Sequence, residues 1–353
     1  MLIHNKSIFL QGISMGATSM QLGLYRLKTA LYSLIEIYRL PQEKIDNFLQ
    51  SYTIFDKEAI ESDDENIIVH YYSVLNLLCA LGDVEKMYIP AVIDVSKGII
   101  DNQVLFETKM SQELNIKPGD KVLDIGCGRG RVAAHLASLT KAHLTGINID
   151  DVQLNSAQKY VSLNGLADKC QFLKASLNAP FPFADASFDA LYQIQVLTYA
   201  KNKEAVFREM FRVLKPGGKL SFLDWVILDR YDCHVEKHRE LLKRVKPLIG
   251  AVNTPTANEI KSLLEKVGFT VLKSQDASVG GHQAILIENA DKYYHRVKKI
   301  IDFMVKSHLL PKHFSLLIDR LTKDGQSFVE ADRLGLVTTS FQTIAQKPDH
   351  GIN

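Results

Sequence analysis

The stretch Lys121–Val122–Leu123–Asp124–Ile125–Gly126–Cys127–Gly128–Arg129–Gly130–Arg131 decides the fold. Val122, Leu123 and Ile125 read as a short buried strand, and residues 132–139 have helical spacing. Alternate glycines join the two. A strand that runs through such a turn into a helix N-terminus brings a ligand against bare backbone. A Cβ there would block the approach or forbid the dihedrals. The spacing is Gly-x-Gly-x-Gly, not the dinucleotide Gly-x-Gly-x-x-Gly, and an acid, Asp124, precedes the first glycine by two residues. A tight turn without ligand is the plain alternative.

Around this stretch strand and helix alternate. Strands are expected at 121–125, 143–149, 171–174, 188–194, 219–226 and 269–275, with helices at 151–164, 203–213, 236–245 and 257–267. Such alternation implies a parallel sheet covered on both faces. Upstream the pattern is helical: Leu24, Leu27, Leu31, Leu34, Ile35 and Tyr38 recur at three- and four-residue intervals, and further helices are expected at 42–52, 67–81 and 103–114. The acidic run 61–65 reads as a solvated link. Downstream, 293–310 and 314–321 read as helices before a last strand at 336–346. The expected organisation is a helical N-terminal region and cap (1–115), an α/β core (116–276), a helical lid (277–333) and a final core strand (334–348). Ligands of open α/β sheets sit at the carboxyl ends of the strands, where such an insertion makes a lid.

Composition narrows the function. A net charge of +2 over 353 residues gives no electrostatic footprint for nucleic acid. Lys298–Lys299 and Lys243–Arg244 read as solvated helix faces. Cys79, Cys127, Cys170 and Cys233 share no metal-like spacing, and no metal site is expected. His234 and His238, four apart, lack an evident third ligand; His282 reads as a loop histidine. No uncharged run reaches membrane-spanning length. We therefore expect a soluble cytoplasmic protein. The amphipathic run 8–40 leaves room for peripheral membrane contact, although packing on the domain is the simpler reading. A homodimer is left open.

Asp124 with its glycines resembles motif I of the class I S-adenosylmethionine-dependent methyltransferases. Phe188–Asp189 and Leu214–Lys215–Pro216–Gly217–Gly218 add to the resemblance. It implies a Rossmann-like class I methyltransferase sheet with a helical N-terminal cap, a helical lid before the last strand, and that strand antiparallel near the sheet edge. It also implies S-adenosylmethionine as cofactor. By resemblance Asp124 helps fix the turn, and Gly126, Cys127, Gly128 and Gly130 lie under the methionine part. After strand two the family carries an acid for the ribose. Here Asn148 takes that place, with Asp150 as the alternative, which could equally cap the next helix. Ile149 and Gln153 adjoin it. Near the adenine, Ser176 and Leu177 stand where the family has an Asp, and Gln193 closes the set from strand four.

A narrower resemblance, to the sterol C-methyltransferases, rests on Leu223–Asp224–Trp225–Val226, Asp229–Arg230–Tyr231–Asp232, Tyr71–Tyr72 and Lys347–Pro348. Two departures stand out. The aromatics of the family's glycine-rich run are missing from 76–82, and Gln195 and Tyr199 stand where a carboxylate and a histidine are expected. Glutamine cannot be a base. The expected activity is methylation, at carbon, of a lipophilic small molecule: an isoprenoid, a sterol-like lipid or another secondary metabolite. The alternatives are N- or O-methylation of a small metabolite, or a non-methylating cyclase or binding protein on the same fold. Catalytic candidates are Tyr72, Tyr192, Gln195, Tyr199 and Asp224, each with a structural alternative: core packing, pocket wall or helix cap.

Overall fold

A computed structural model describes residues 19–61, 64–82 and 84–349. Its centre is one sheet of seven strands: β1 (Lys121–Ile125), β2 (His143–Asn148), β3 (Cys170–Lys174), β4 (Phe188–Ile194), β5 (Leu214–Ile227), β6 (Thr270–Asp276) and β7 (Val337–Gln346). The order is β3-β2-β1-β4-β5-β7-β6, and β7 runs antiparallel to both neighbours. β1 pairs in parallel with β2 on one side and β4 on the other. The chain therefore reverses its direction of winding beside β1. That crevice, at the carboxyl ends of β1 and β4, is where an open α/β sheet takes its ligand.

The helices are α1 (Ser19–Tyr38), α2 (Gln42–Ser51), α3 (Asp64–Ala80), α4 (Ile99–Glu113), α5 (Arg131–Thr140), α6 (Asp151–Leu163), α7 (Lys203–Val213), α8 (Glu236–Ile249), α9 (Ala257–Val267), α10 (Ala284–Lys306), α11 (His313–Thr322) and α12 (Gly325–Leu334). Both faces of the sheet are covered. Phe106, Met110, Ala133 and Leu136 pack with Val122, Leu144 and Tyr192 on one face. Phe207, Met210, Ile260 and Leu264 pack with Leu191, Leu220 and Phe222 on the other. A separate apolar cluster joins Ile45, Phe48, Tyr71 and Leu78 of the N-terminal helices to Ile301, Phe314 and Leu317 of the insertion. The expected sheet, with its antiparallel last strand, is thus present.

Several boundaries differ from the sequence reading, for long-range reasons. α10 begins at Ala284, not at 293, because the Asp332 carboxylate, from far along the chain, accepts the backbone N–H groups of Gln283 and Ala284 at 2.8–3.1 Å. α12 lies within the expected helical lid but was not among the helices placed there; it ends on Gly335 in the left-handed conformation. β5 starts at Leu214, before the Pro-Gly-Gly turn, because Leu214 pairs with Phe188. α4 starts at Ile99 and α8 runs on to Ile249 through Pro247. Of the amphipathic run 8–40, the part before Ser19 and the Leu24 side chain lie outside the described residues.

Candidate active site

The crevice beside β1 opens into a cavity of about 790 Å³, its mouth included, lined among others by Gly126, Gly128, Asn148, Ile149, Gln153 and Leu177. Gly126 and Gly128 have φ of +74° and +52°. A Cβ on Gly126 would sit 2.5 Å from Val196 Cγ2, while one on Gly128 would meet only Gln153 Oε1, at 3.2 Å. Gly126 is thus required by packing, and Gly128 leaves its backbone bare toward the cavity. Gly130 differs: the space it vacates is filled by Phe172 and Ala157, so it serves the fit of α5 on the sheet and does not line the cavity.

The end of β2 resolves the choice between Asn148 and Asp150 in terms of free groups. Asp150 caps α6, accepting from Val152 N at 2.8 Å and Gln153 N at 3.4 Å, and its other oxygen takes Gln153 Nε2 at 3.1 Å. Its carboxylate is committed. Asn148 accepts from Ile149 N at 2.8 Å, and its Nδ2 reaches only Gln153 Oε1, at 3.5 Å, which is too long for a strong bond. That amide group is available to a ligand.

Ser176 does not itself line the cavity. It donates to Glu65 Oε1 at 2.5 Å, and Asn178 Nδ2 donates to the same oxygen at 3.1 Å. Glu65, in the first turn of α3, and Asn178 both line the cavity. The sequence reading missed both. Glu65, the last residue of the run expected to be a solvated link, instead ties the helical cap to the loop after β3.

A second group of residues lines the other side of the glycine turn: Asp124, Cys127, Arg131, Lys86, Met87 and Tyr88. Asp124 is buried and its Oδ2 has no hydrogen-bond partner. Burial pushes its carboxyl up to about 7, with the neighbouring Tyr192 phenol opposing the shift. Arg131, stacked over the Tyr160 ring at 3.7 Å, has a buried Nε that is also without a partner. A cationic and an anionic group on one ligand would complement this pair.

The irregular strap from Lys86 to Pro90 closes that side. Gln103 Nε2 donates to the carbonyls of Lys86 and Tyr88, Gln283 Nε2 to that of Pro90, and Gln195 pairs with both N–H and C=O of Ile89. Beneath it lies Glu107, fully buried. It accepts from Lys86 Nζ at 2.6 and 2.7 Å and Tyr88 OH at 2.6 Å, and lies 2.5 Å from His135 Nδ1. Burial alone would raise its carboxyl, but Lys86 and His135 outweigh it and hold it below the usual range. Glu107→Gln should therefore destabilise the fold by about 3 kcal/mol near neutral pH, read as a lower urea midpoint. Because the folded-state value is depressed, the deficit should shrink as the pH falls below the range where an unfolded glutamate protonates.

A second cavity, of about 950 Å³ with its mouth, adjoins the first. Leu75, Cys79, Ile249, Ile287, Ala290 and Leu321 give it an apolar wall from α3, α8, α10 and α11. Tyr72, Met87 and Gln195 line both cavities and form the partition. Tyr199 OH donates to Gly250 O at 2.7 Å, so the 3.0 Å contact between the two phenols has Tyr72 donating to Tyr199. The Tyr72 proton is thereby committed, and its oxygen keeps its capacity as an acceptor. Burial pushes the Tyr72 phenol up to about 12, against the bond to Tyr199, so it stays neutral at physiological pH. At Gly250, with φ +68°, a Cβ would be strained and would crowd these hydroxyls, the nearer being 3.0 Å away.

Of the catalytic candidates, the structure brings Tyr72, Gln195 and Tyr199 together at the cavities. It keeps Tyr192 and Asp224 away. Strand alternation turns Tyr192 with Ala190 into the core beneath α4 and α5. Asp224 is buried and accepts from Gln193 Nε2, Leu197 N and Trp225 N. Gln193 is spent on Asp224 and on the Val196 N–H, so this pair shapes the turn after β4 and neither residue lines a cavity. Gln195, at φ +55°, has both amide protons and its oxygen engaged by Ile89 and Thr339. It is a clamp between strap and sheet. Of the apolar residues of the insertion, Phe303 and Leu309 are exposed, and Ile301 and Phe314 are core. His234 is exposed, His238 is half-buried against the Tyr231 ring and accepts from Asp232 N, and His282 is exposed beside Asp332.

Residues 123–222 match the methyltransferase domain family. Among curated proteins, the sterol 24-C-methyltransferase of Neurospora crassa is 27% identical, over 83% of this chain and 82% of its own length. A sterol 24-C-methyltransferase of Gibberella zeae is 35% identical over 63% of this chain and 58% of its own. Among solved structures, the cyclase SpnF superposes with a TM-score of 0.64 at 17% identity, covering 83% of this chain and 98% of that one. The geranyl diphosphate C-methyltransferase of Streptomyces coelicolor does so with 0.58 at 15%, covering 82% and 99%. At such identities the superpositions speak for the fold.

Proposed function

We propose that this chain, a class I S-adenosylmethionine-dependent methyltransferase related to the sterol 24-C-methyltransferases, methylates a carbon atom of an isoprenoid or sterol-like acceptor held in the second cavity. The cofactor, when bound, supplies an electrophilic methyl group on a cationic sulfur. We assign its methionine part to the bare backbone of Gly126 and Gly128. Asp124, with its unpartnered oxygen, suits the ammonium, and Arg131, with its unpartnered Nε, suits the carboxylate. Asn148 suits the ribose. The slot between Ile149, Ala175 and Leu177 suits the adenine, with Glu65 and Asn178 at its edge.

This assignment has a pH signature. Asp124 must be ionised to pair with an ammonium, and burial holds it near 7 in the free protein. Binding then lowers its pKa and releases a proton. Affinity for S-adenosylmethionine should rise between pH 6 and 8, by up to about tenfold per unit below the free pKa, and level off above. Calorimetry in buffers of different ionisation enthalpy reads the proton directly. Asp124→Asn should remove both effects; a pH-independent affinity with no proton released would exclude Asp124 from that role.

The observation that carries the acceptor reading is the Tyr72–Tyr199–Gly250 chain of hydrogen bonds at the partition between a ligand crevice and an apolar cavity. It orients the electron-rich side of Tyr72 toward the place where donor and acceptor would meet. Methyl transfer to an alkene forms a C–C bond from the π electrons, breaks the C–S bond and leaves positive charge on the neighbouring carbon. Aromatic faces and an oriented hydroxyl oxygen stabilise that charge. The partition residues also exclude water, which would otherwise capture the cation. Incubation with methyl-labelled S-adenosylmethionine and a panel of sterols, isoprenoid olefins, amines and phenols tests this. Label should appear on carbon of an olefinic lipid; label on nitrogen or oxygen alone would replace the reading by N- or O-methylation.

A further inference from the structure

The insertion and the N-terminal helices carry a surface that the reaction does not use. On α1, Leu27, Leu31, Ile35 and Tyr38 fall on one side of the helix, and all are exposed, Leu27 by 65% and Leu31 by 54%. The opposite side, with Ser33 and Ile37, is buried. The stripe ends where His313, at the start of α11, reaches Ile37 O at 3.0 Å. There Tyr38 and Leu309 line one surface groove together with Lys306 and Lys312. Phe303, on the outward side of α10 beside this groove, is 68% exposed and Leu309 63%.

Charge tells what this face fits. Residues 292–312 hold six cations (Lys292, Arg296, Lys298, Lys299, Lys306, Lys312) against one acid, Asp302, a net +5 where the whole chain is only +2. Lys298 is paired with Asp302 and Asp319. Lys299 and Lys312, with Lys28 on α1 and Arg39 just after it, make no ion pair among the described residues, while Lys306 makes no direct ion pair but lies near enough to Asp302 to help lower its carboxyl. An apolar stripe edged by unpaired cations is repelled by a second copy of itself and matches an anionic interface with an apolar interior. No described helix is long and apolar enough to cross a membrane, so the contact would be peripheral.

We propose that the exposed side of α1, with Phe303, Leu309 and the basic residues around them, docks the protein on an anionic lipid surface. The same helix α10 carries this face on its second half and lines the apolar cavity with Ile287, Ala290 and Tyr294 on its first. Docking would thus hold the acceptor cavity near a pool of lipophilic substrate. The inference does not rest on which atom is methylated.

The test is sedimentation of the full chain with vesicles of phosphatidylcholine alone or mixed with phosphatidylglycerol. Binding to mixed vesicles should be at least about tenfold tighter and should weaken with salt. The pair Lys299→Glu and Lys306→Glu should lower it roughly tenfold or more, and the pair Leu31→Ser and Phe303→Ser should do likewise. Both sets lie outside the cofactor crevice, so unchanged S-adenosylmethionine affinity certifies the fold. Equal association with both vesicles, no association, or unchanged binding by both variant pairs would overturn the proposal. So would a dimer in solution that is lost in the Leu31→Ser variant, which would assign the stripe to a second copy of this chain.

Discussion

Gly128→Val is expected to reduce S-adenosylmethionine binding by roughly a hundredfold or more, about 2.8 kcal/mol, by overpacking the crevice. At Gly128 the Cβ has space within the protein, with Gln153 Oε1 the nearest atom at 3.2 Å. The side chain would therefore project into the crevice. A β-branched residue at φ +52° adds backbone strain of about 1–3 kcal/mol, which should appear as a lower melting point of a still cooperative fold. Gly126→Val should behave differently. Its side chain would collide with Val196 inside the protein, so loss of folded protein should accompany loss of binding. Titration calorimetry together with thermal melts separates the two. Wild-type affinity in folded Gly128→Val would move the cofactor away from this turn.

Tyr72→Phe is expected to lower kcat by roughly ten- to a hundredfold, about 1.4–2.8 kcal/mol of transition-state stabilisation, with little change in cofactor affinity. The ring and its packing against Tyr71 and Tyr199 survive the substitution. Only the hydroxyl, with its bond to Tyr199, is lost. Tyr199→Phe should have a smaller effect of the same kind, because Tyr72 would keep its oxygen but lose the acceptor that fixes its proton. The double variant should fall well short of the sum, as residues of one hydrogen-bonded chain do. Equal effects on KM and none on kcat would make Tyr72 a wall of the cavity and nothing more.

What was legible in the sequence is what depends on near neighbours. The glycine turn and the strand–helix alternation follow from spacing and from motifs within a few residues of each other; the antiparallel last strand is implied by the family resemblance alone. Asp150 was legible as a cap for the same reason, since its partners are Val152 and Gln153. The strap was not. Its bonds join Ile89 to Gln195 and Pro90 to Gln283, separations of 106 and 193 residues. Nothing in the strap itself marks it as ordered, and the glutamines that order it look like surface residues. Glu107 was hidden likewise, as a charged residue in the middle of a helix whose partners come from a loop and from α5.

The catalytic candidates show the limit most clearly. Family resemblance led to the end of β4 and to Asp224, but it could not say which side of the strand each residue faces. Tyr192 is two residues from Ile194 and points to the same core, while Gln193 is bound to Asp224 beneath the turn. Gln195 stands where a base was expected and is instead the clamp that holds Ile89 and Thr339. In the reaction proposed, with no carboxylate in that place, positive charge at the partition would be met by the Tyr72 and Tyr199 phenols.

The central claim is that donor and acceptor lie in adjoining cavities and meet at Tyr72. Crystals grown with S-adenosylhomocysteine test it most directly. The ligand should lie along Gly126 and Gly128, with its ammonium at Asp124, its ribose at Asn148 and its sulfur facing the Tyr72 oxygen across the partition. A sulfur directed away from Tyr72 and the second cavity, or a ligand that leaves the glycine turn bare, would contradict it.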